Sequence, residues 1–284
     1  MRFSLVLATV DRTEELERLL DSLEAQSQRE FELIVVDQNP EGILAPILDR
    51  YDKTFPIRHL TQPERGVSKA RNLGLQHAKG DVVSFPDDDC WYPSELLELV
   101  EKFLDQHSDV DSVSGQMGHG SQESGLSADT PNNPGHFLKT SLKVAQVPGP
   151  WSLFLRKPVT EKVGGFDETL GPGAGTPWGS GEDTDYYLRV VQAGFNLFHN
   201  PGIVVYHPVA SQYYTDRTDL GRSYRYGAGR TRVWRRHRLP LWYFVYEVGR
   251  SGVGVFLSLL QLRGAKAYWH WGAFRGKLRG WFSG

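Results

Sequence analysis

Gly80-Asp81-Val82-Val83-Ser84-Phe85-Pro86-Asp87-Asp88-Asp89 reads as a short apolar strand that runs straight into three consecutive carboxylates. Adjacent carboxylates repel one another and are costly unless a cation or solvent relieves them. Hard oxygen ligands of this kind suit Mg²⁺ or Mn²⁺, which take one or two carboxylates together with substrate phosphates. In an extended turn Asp87 and Asp89 point one way and Asp88 the other. The first pair is therefore assigned to the metal, leaving Asp88 for a ligand hydroxyl. Taken alone, the run is also what a solvated acidic turn, or the acidic approach to a helix, looks like.

Upstream, Phe3 to Thr9 reads as a buried strand. Asp11-Arg12-Thr13-Glu14 has capping-box spacing, and Leu16, Leu19, Leu20 and Leu23 then form one helical stripe. Phe31 to Asp37 is a second strand that ends in a carboxylate. The pattern repeats with a strand at 57–60, a helix at 68–78, the strand at 82–85, a helix at 94–107 and a strand near 111–114. Strand–helix–strand alternation predicts an α/β fold with a Rossmann-like, mostly parallel central sheet flanked by helices and right-handed crossovers. Ligands of such sheets sit outside the carboxyl ends of the strands. Thr9, Asp37 and the Asp87–Asp89 run all fall there.

Residues 116–150 are rich in Gly, Ser, Asn and Pro, and read as a functional or mobile loop. A smaller mixed region follows: a strand at 151–155, a short helix near 158–163 and a glycine-rich stretch at 171–181, read as a flexible rim. It continues with a helix opening on Glu182-Asp183 and closing strands at 195–199 and 203–206. The reading divides the chain into 1–115, 116–216 as the second half of the same domain, and a helical C-terminal extension at 217–284.

The overall charge of −2 hides an asymmetry. From Arg217 onward fourteen Lys and Arg stand against two Asp and Glu, whereas residues 1–216 carry eighteen basic and thirty-two acidic side chains. Residues 240–262 are apolar but interrupted by Glu247 and Arg250, so they read as interfacial rather than membrane-spanning. Trp242, Tyr243, Tyr246, Tyr268, Trp269, Trp271 and Trp281 resemble an aromatic belt beside basic residues. The expected partner is an anionic membrane surface, the alternatives a helical subdomain packed on the body or a protein interface. The single Cys90 excludes an internal disulfide, and the first residues show no signal-peptide pattern. A cytoplasmic location, peripheral on the inner face of the membrane, is expected.

Four stretches carry a resemblance. The first strand ends in Ala8-Thr9-Val10-Asp11-Arg12 and the second in Val35-Val36-Asp37-Gln38. Gly66-Val67-Ser68-Lys69-Ala70-Arg71-Asn72-Leu73-Gly74 follows, then Gly80-Asp81 and the Asp87–Asp89 run. In order and spacing these resemble the donor-binding half of the family-two inverting glycosyltransferases with the GT-A fold. The resemblance implies a nucleotide-sugar donor, UDP-sugar preferred, held by Thr9, Asp11, Arg12, Asp37, Arg71, Asp87 and Asp88. It assigns Thr9 and Asp37 to the base, Arg71 to the donor side, and Asp87 and Asp89 to Mn²⁺ or Mg²⁺ and the diphosphate. Gln38 stands where the family often has a second aspartate, which weakens the assignment of uridine. For Arg71 the alternative role is an ion pair with one of the aspartates.

The resemblance continues in Gly164-Gly165-Phe166-Asp167-Glu168 and Gly181-Glu182-Asp183-Thr184-Asp185, where it makes Asp183 the catalytic base. An acceptor hydroxyl must lose its proton as it attacks, so a carboxylate is required on that side. Glu182 and Asp185 are assigned to orienting the base or binding the acceptor, and Trp151 and Trp178 to stacking on its sugar rings. His207, after the last strand, is a further metal candidate. The implied acceptor is an envelope glycan or lipid-linked sugar, and no nucleic acid is expected. Two other readings stay open. A sugar-phosphate nucleotidyltransferase has related metal chemistry but usually carries a glycine- and lysine-rich loop after the first strand. A non-catalytic protein could bind nucleic acid or another anion through the basic tail.

Overall fold

The structure, a computed structural model, describes residues 2–118, 135–147, 149–208 and 221–283. In chain order the first half runs β1 (Phe3–Thr9), α1 (Glu14–Glu24), β2 (Phe31–Asp37), α2 (Ala45–Leu48), β3 (Ile57–Thr61), α3 (Val67–Leu75), β4 (Val82–Ser84) and α4 (Leu96–Gln106). Then come β5 (Ser112–Gly118), β6 (His136–Phe137), α5 (Ser141–Val144), β7 (Leu153–Arg156), α6 (Lys157–Val163), α7 (Glu182–Gln192) and β8 (Leu197–Tyr206). Three helices close the chain: α8 (Arg222–Arg236), α9 (Leu241–Leu260) and α10 (Gly264–Phe282).

The strands form one sheet in the order β3-β2-β1-β4-β7-β5-β8-β6. β1 pairs in parallel with β2 and β4, β2 with β3, and β5 with β8. β7 runs antiparallel between β4 and β5, and β6 antiparallel to β8. The sheet is thus parallel from β3 to β4 and mixed beyond β4. The division at residue 115 falls inside β5.

Alternate residues of each central strand feed two cores. Leu5, Leu7, Leu33 and Val35 join Leu16 and Leu20 of α1 on one face. Val6 and Ile34 face the other way, toward Tyr186 and Val190 of α7. Such burial on both faces explains why β1 and β2 read as continuous apolar runs. Gly74 lets α3 lie against the sheet, because a Cβ there would stand 2.4 Å from Val6 Cγ1. At Gly80 a Cβ would meet the backbone of residues 2–4 within 2.7 Å.

Several expectations change. The capping box is not formed: Thr13 is the N-cap of α1 with no side-chain hydrogen bond. Asp11 instead has φ of 58° and ion-pairs with Arg65 at 2.8 Å. The two closing strands are one, β8, with a register shift opposite Ser114 and Gln116. The loop expected over 116–150 contains the end of β5, β6 and α5, while its residues 119–134 and 148 lie outside the described residues. The glycine-rich rim is packed rather than free: Val67 N–H donates to Pro172 O at 3.0 Å, and Ser68 Oγ to Leu170 O at 2.8 Å.

The C-terminal helices are attached to the body through α8. His237 Nε2 lies 2.8 Å from Asp185 and Arg236 3.3 Å from it. α10 then meets α8 along a glycine seam: a Cβ at Gly276 would stand 2.1 Å from Tyr224 O, and one at Gly280 2.0 Å from Ala228 O. Backbones approach this closely only where one helix presents glycine.

Candidate active site

Four strand ends and two helix starts converge at the carboxyl edge of the sheet. A parallel bridge sets Asp87 beside Ala8 at the end of β1. Trp91 pairs with Tyr206 through backbone hydrogen bonds of 3.0 and 3.1 Å. That pairing carries His207, just past β8, to the Asp87–Asp89 run. Its Nε2 lies 3.0 Å from Asp89 Oδ1 and 3.9 Å from Asp87 Oδ2. Trp151 stacks on the imidazole with ring centroids 5.5 Å apart.

Asp87, Asp89 and His207 each offer a ligand atom within 4.8 Å of the others. Asp89 Oδ1 is buried without a hydrogen bond of acceptable geometry, although His207 Nε2 is near it. Two ligands at about 2.1 Å from one cation, at right angles, sit roughly 3 Å apart, the octahedral arrangement of small divalent ions. Carboxylates suit Mg²⁺ or Mn²⁺, and an imidazole extends the set to transition metals. These residues fit a divalent cation. Burial and the Asp183 and Asp89 charges push Asp87 up to about 6, against the pull of Arg71 and His207. Burial opposes charging of His207, but Asp89 outweighs it and raises the imidazole.

Asp88 points away from the pair, as its place in the turn requires. It accepts from Thr9 Oγ1 at 2.8 Å and from Arg12, whose guanidinium also lies 2.9 Å from Asp89. Burial alone would weaken the charge on Arg12, and these aspartates restore it. Thr9 is 1% exposed. Its hydroxyl supports Asp88 from below rather than standing free for a base, and Asp88 is already engaged rather than open to a ligand hydroxyl. Asp37, at the end of β2, is also buried: Oδ1 accepts from the backbone and side-chain N–H groups of Asn39 at 2.8 Å, and Oδ2 lies 3.0 Å from His59. Gln38 accepts from Gly66 N–H at 2.7 Å, pinning the start of α3.

α3 is the keystone. Arg71 is 3% exposed and reaches two centres, donating from Nη2 to Asp87 at 2.9 Å and from Nη1 to Asp183 at 3.0 Å. The next residue, Asn72, accepts from Phe166 N–H at 2.6 Å and donates to Phe166 O and Glu168 at 3.0 Å. The Gly66–Gly74 stretch thereby joins the sheet edge to the turn before α7 and to α7 itself. The ion pair considered for Arg71 is present, with both an Asp87 and an Asp183 partner.

Glu182 and Asp183 open α7, but their environments differ. The Asp183 side chain is 27% exposed and that of Glu182 8%. Burial, then the Asp183 charge, push Glu182 up to about 8, with Arg71 pulling the other way. Its Oε2 has no hydrogen-bond partner and faces Gly171, where a Cβ would stand 3.0 Å away. Burial beside Asp183 thus favours the protonated form of Glu182. Burial also raises Asp183, and Arg71 counters it.

Asp185 lies two positions along the helix, so it points to another face. It is 1% exposed and paired with Arg189, Arg236 and His237. Burial would raise it, but hydrogen bonds from His237 and Arg189 hold it below the usual carboxylate range. Its work is to fasten α8, not to touch an acceptor. Trp151 is 6% exposed and braces His207 instead of offering an open face. Trp178 is half-buried beneath Arg232, whose guanidinium carbon lies 4.6 Å from the ring centre.

Comparison with known proteins decides the family. A model described as "Glycosyl transferase family 2" matches residues 4–161, more than half of the chain. The chain belongs to glycosyl transferase family 2.

As a glycosyltransferase it is 24% identical over 243 residues to glycosyltransferase AglE of Haloferax volcanii, covering 84% of this chain and 76% of that one. It is 32% identical over 115 residues to the poly(ribitol-phosphate) beta-N-acetylglucosaminyltransferase TarS of Staphylococcus aureus, but that match spans only 39% of this chain and 20% of TarS. The crystal structure of TarS 1–349 superposes with a TM-score of 0.59 at 18% identity, covering 98% of this chain and 91% of that one. It has also been solved with UDP and with UDP-GlcNAc. The mannosyltransferase PcManGT of Pyrobaculum calidifontis, in complex with GDP-Man and Mn²⁺, superposes with the same TM-score at 16% identity, covering 98% and 73%. These likenesses establish the GT-A fold.

Sequence reading missed Asn72, Ser68, Asn39 and His59. Asn72 adjoins Arg71 in the quoted motif, which was signal enough. His59 had none, because only the parallel register of β2 and β3 brings it to Asp37.

Proposed function

We propose that this glycosyltransferase moves a sugar from a nucleoside-diphosphate sugar to an acceptor hydroxyl by single displacement, inverting the anomeric carbon, with Asp183 as base. The observation that carries the reading is the Arg71 guanidinium, which holds Asp87 of the metal-ligand cluster and Asp183 of the acceptor side on two nitrogens of one plane. A base and a leaving-group site must lie on opposite sides of one reacting carbon, and Arg71 fixes their separation. Asp183 is the more exposed of the two carboxylates that open α7, and its hydrogen bond from Arg71 opposes the upward push of burial. Its raised pKa makes it a better proton acceptor than an ordinary aspartate.

Asp87, Asp89 and His207 would hold Mn²⁺ or Mg²⁺, which when bound supplies positive charge against the departing diphosphate. Arg12 adds a second cation at the same edge, oriented by Asp88 and Asp89. Asp37, fixed by Asn39 and His59, meets the base at the end of β2. The UDP and UDP-GlcNAc complexes of TarS favour a uridine donor. A basic, aromatic C-terminal extension favours an acceptor in envelope or cell-surface glycan synthesis, either a glycan or a lipid-linked sugar.

The test is a panel of UDP-, GDP- and dTDP-sugars with Mn²⁺ or Mg²⁺, reading released nucleoside diphosphate and the anomeric configuration of product by NMR. Inverted product with one donor class supports the reading, and retained configuration overturns it.

A further inference from the structure

The long hairpin of α9 and α10 is turned inside out. On α9 the side chains packed inward are Phe244, Glu247, Ser251 and Ser258. The outward face is apolar on either side of Gly249 and the exposed Arg250: Trp242 (61% exposed), Val245 and Tyr246 before them, Val253, Phe256 (61%) and Leu260 (65%) after. Their spacings of three, four and seven residues keep them on one side of the helix, so they form one stripe with a polar break at Arg250. At 1.5 Å per residue it is about 30 Å long. α10 repeats the arrangement: Gly272, Gly276 and Gly280 face inward, with Tyr268, Trp271 and Phe282 outward. The turn between them exposes 94% of Leu262. Water-facing helices bury such residues, so this face has a partner.

Charge identifies the partner. The only acidic residue of the hairpin, Glu247, is buried against Lys277 at 3.0 Å and paired with Arg250. Arg263, Arg275 and Arg279 are exposed and have no acidic partner among the described residues. A second copy would set this positive face against itself. A polar protein surface would leave the apolar stripe unmatched. A surface that is apolar within and anionic at its rim satisfies both features. Among the described residues no helix is long and apolar enough to cross a membrane, so the stripe would lie along the surface.

We propose that the outward face of α9 and α10 docks this glycosyltransferase onto an anionic lipid bilayer, with the α9 stripe at the headgroup–acyl boundary and Arg263, Arg275 and Arg279 on the headgroups. The anchor is joined to the body through α8 and the Asp185 pairs, and Phe244 and Trp281 belong to the same buried cluster as α7. Docking therefore holds the catalytic edge at a fixed distance from the membrane. The proposal is independent of donor, metal and stereochemistry, and so is its test.

Full-length protein is floated with vesicles of phosphatidylcholine alone or with added phosphatidylglycerol. It rises with the anionic vesicles and only weakly with the neutral ones. Each basic residue near an anionic surface strengthens binding about fivefold, so Arg275→Glu with Arg279→Glu lowers partition by on the order of 100-fold or more. Phe256→Glu with Leu260→Glu abolishes it on both vesicles while far-UV CD is unchanged. Should that pair fail to fold, quenching by brominated lipid decides: emission of the wild type is quenched, and less so in Trp242→Phe. Flotation that ignores lipid charge and both pairs overturns the proposal. So does a lack of flotation with sedimentation showing a dimer that Phe256→Glu dissociates, which would assign the face to a second copy.

Discussion

The guanidinium of Arg71 donates to Asp183 across 3.0 Å, joining a helix of the donor half to the first turn of α7, 112 residues later in the chain. Its other nitrogen holds Asp87. A substitution at any of the three is felt by the other two, so the outcomes below separate chemistry from stability.

Asp183→Asn keeps the shape of the side chain and removes its basicity. Transfer falls by about 10²- to 10⁴-fold, the usual contribution of a positioned base. Donor affinity, read by calorimetry with Mn²⁺ present, stays near that of the wild type. Near-normal turnover would remove Asp183 from the base role.

Arg71→Met leaves two partly buried carboxylates without their cation. Breaking a fully buried pair costs about 3–5 kcal/mol. Asp87 and Asp183 are 29% and 27% exposed, so solvent lowers the loss to about 2–3 kcal/mol. Urea unfolding measures it. A change under about 0.5 kcal/mol would mean the bridge is ornamental, as many solvent-exposed pairs are.

His207→Ala removes one ligand and its stacking partner for Trp151. Mn²⁺ binding, followed by EPR of the free ion, weakens by at least about tenfold, since sites of this kind depend on ligand count. Chelation abolishes turnover in the wild type, and added Mn²⁺ restores it. Unchanged Mn²⁺ affinity would take His207 out of the site.

Glu182 gives a pH signature. Its pKa is raised in the fold, first by burial and then by Asp183, so between about 5 and 8 the native state holds more protons than the unfolded chain. Its contribution to stability therefore falls as pH rises through that window. Glu182→Gln fixes the neutral form. The variant gains on the wild type as pH increases from 5 to 9 in denaturant titrations. A difference that is flat with pH, or of opposite slope, would mean that Glu182 is ionised in the fold.

Local pattern carried the donor half. The β1 and β2 boundaries read from apolar runs coincide with the strands, because a parallel strand buried on both faces takes apolar residues at most positions. The strand ends then placed Asp37 and the Asp87–Asp89 run at one edge, since parallel strands share a direction. The capping box at Asp11 failed because an ion pair with Arg65 and a left-handed backbone compete for the same residue.

By itself, then, the sequence determined the alternating sheet, the acidic run at a strand end, the family motifs and the basic, aromatic tail. Each is a property of neighbours in the chain, set by periodicity and composition. Only tertiary structure decided which carboxylates come together. The Trp91–Tyr206 pairing delivers His207 to Asp89, α3 carries Arg71 to Asp183, and helical rotation turns Asp185 away to fasten α8. It also decided that α9 presents its apolar residues outward, because the inward positions are taken by Glu247 and its lysine. Contacts between residues so far apart depend on packing geometry that no local pattern encodes.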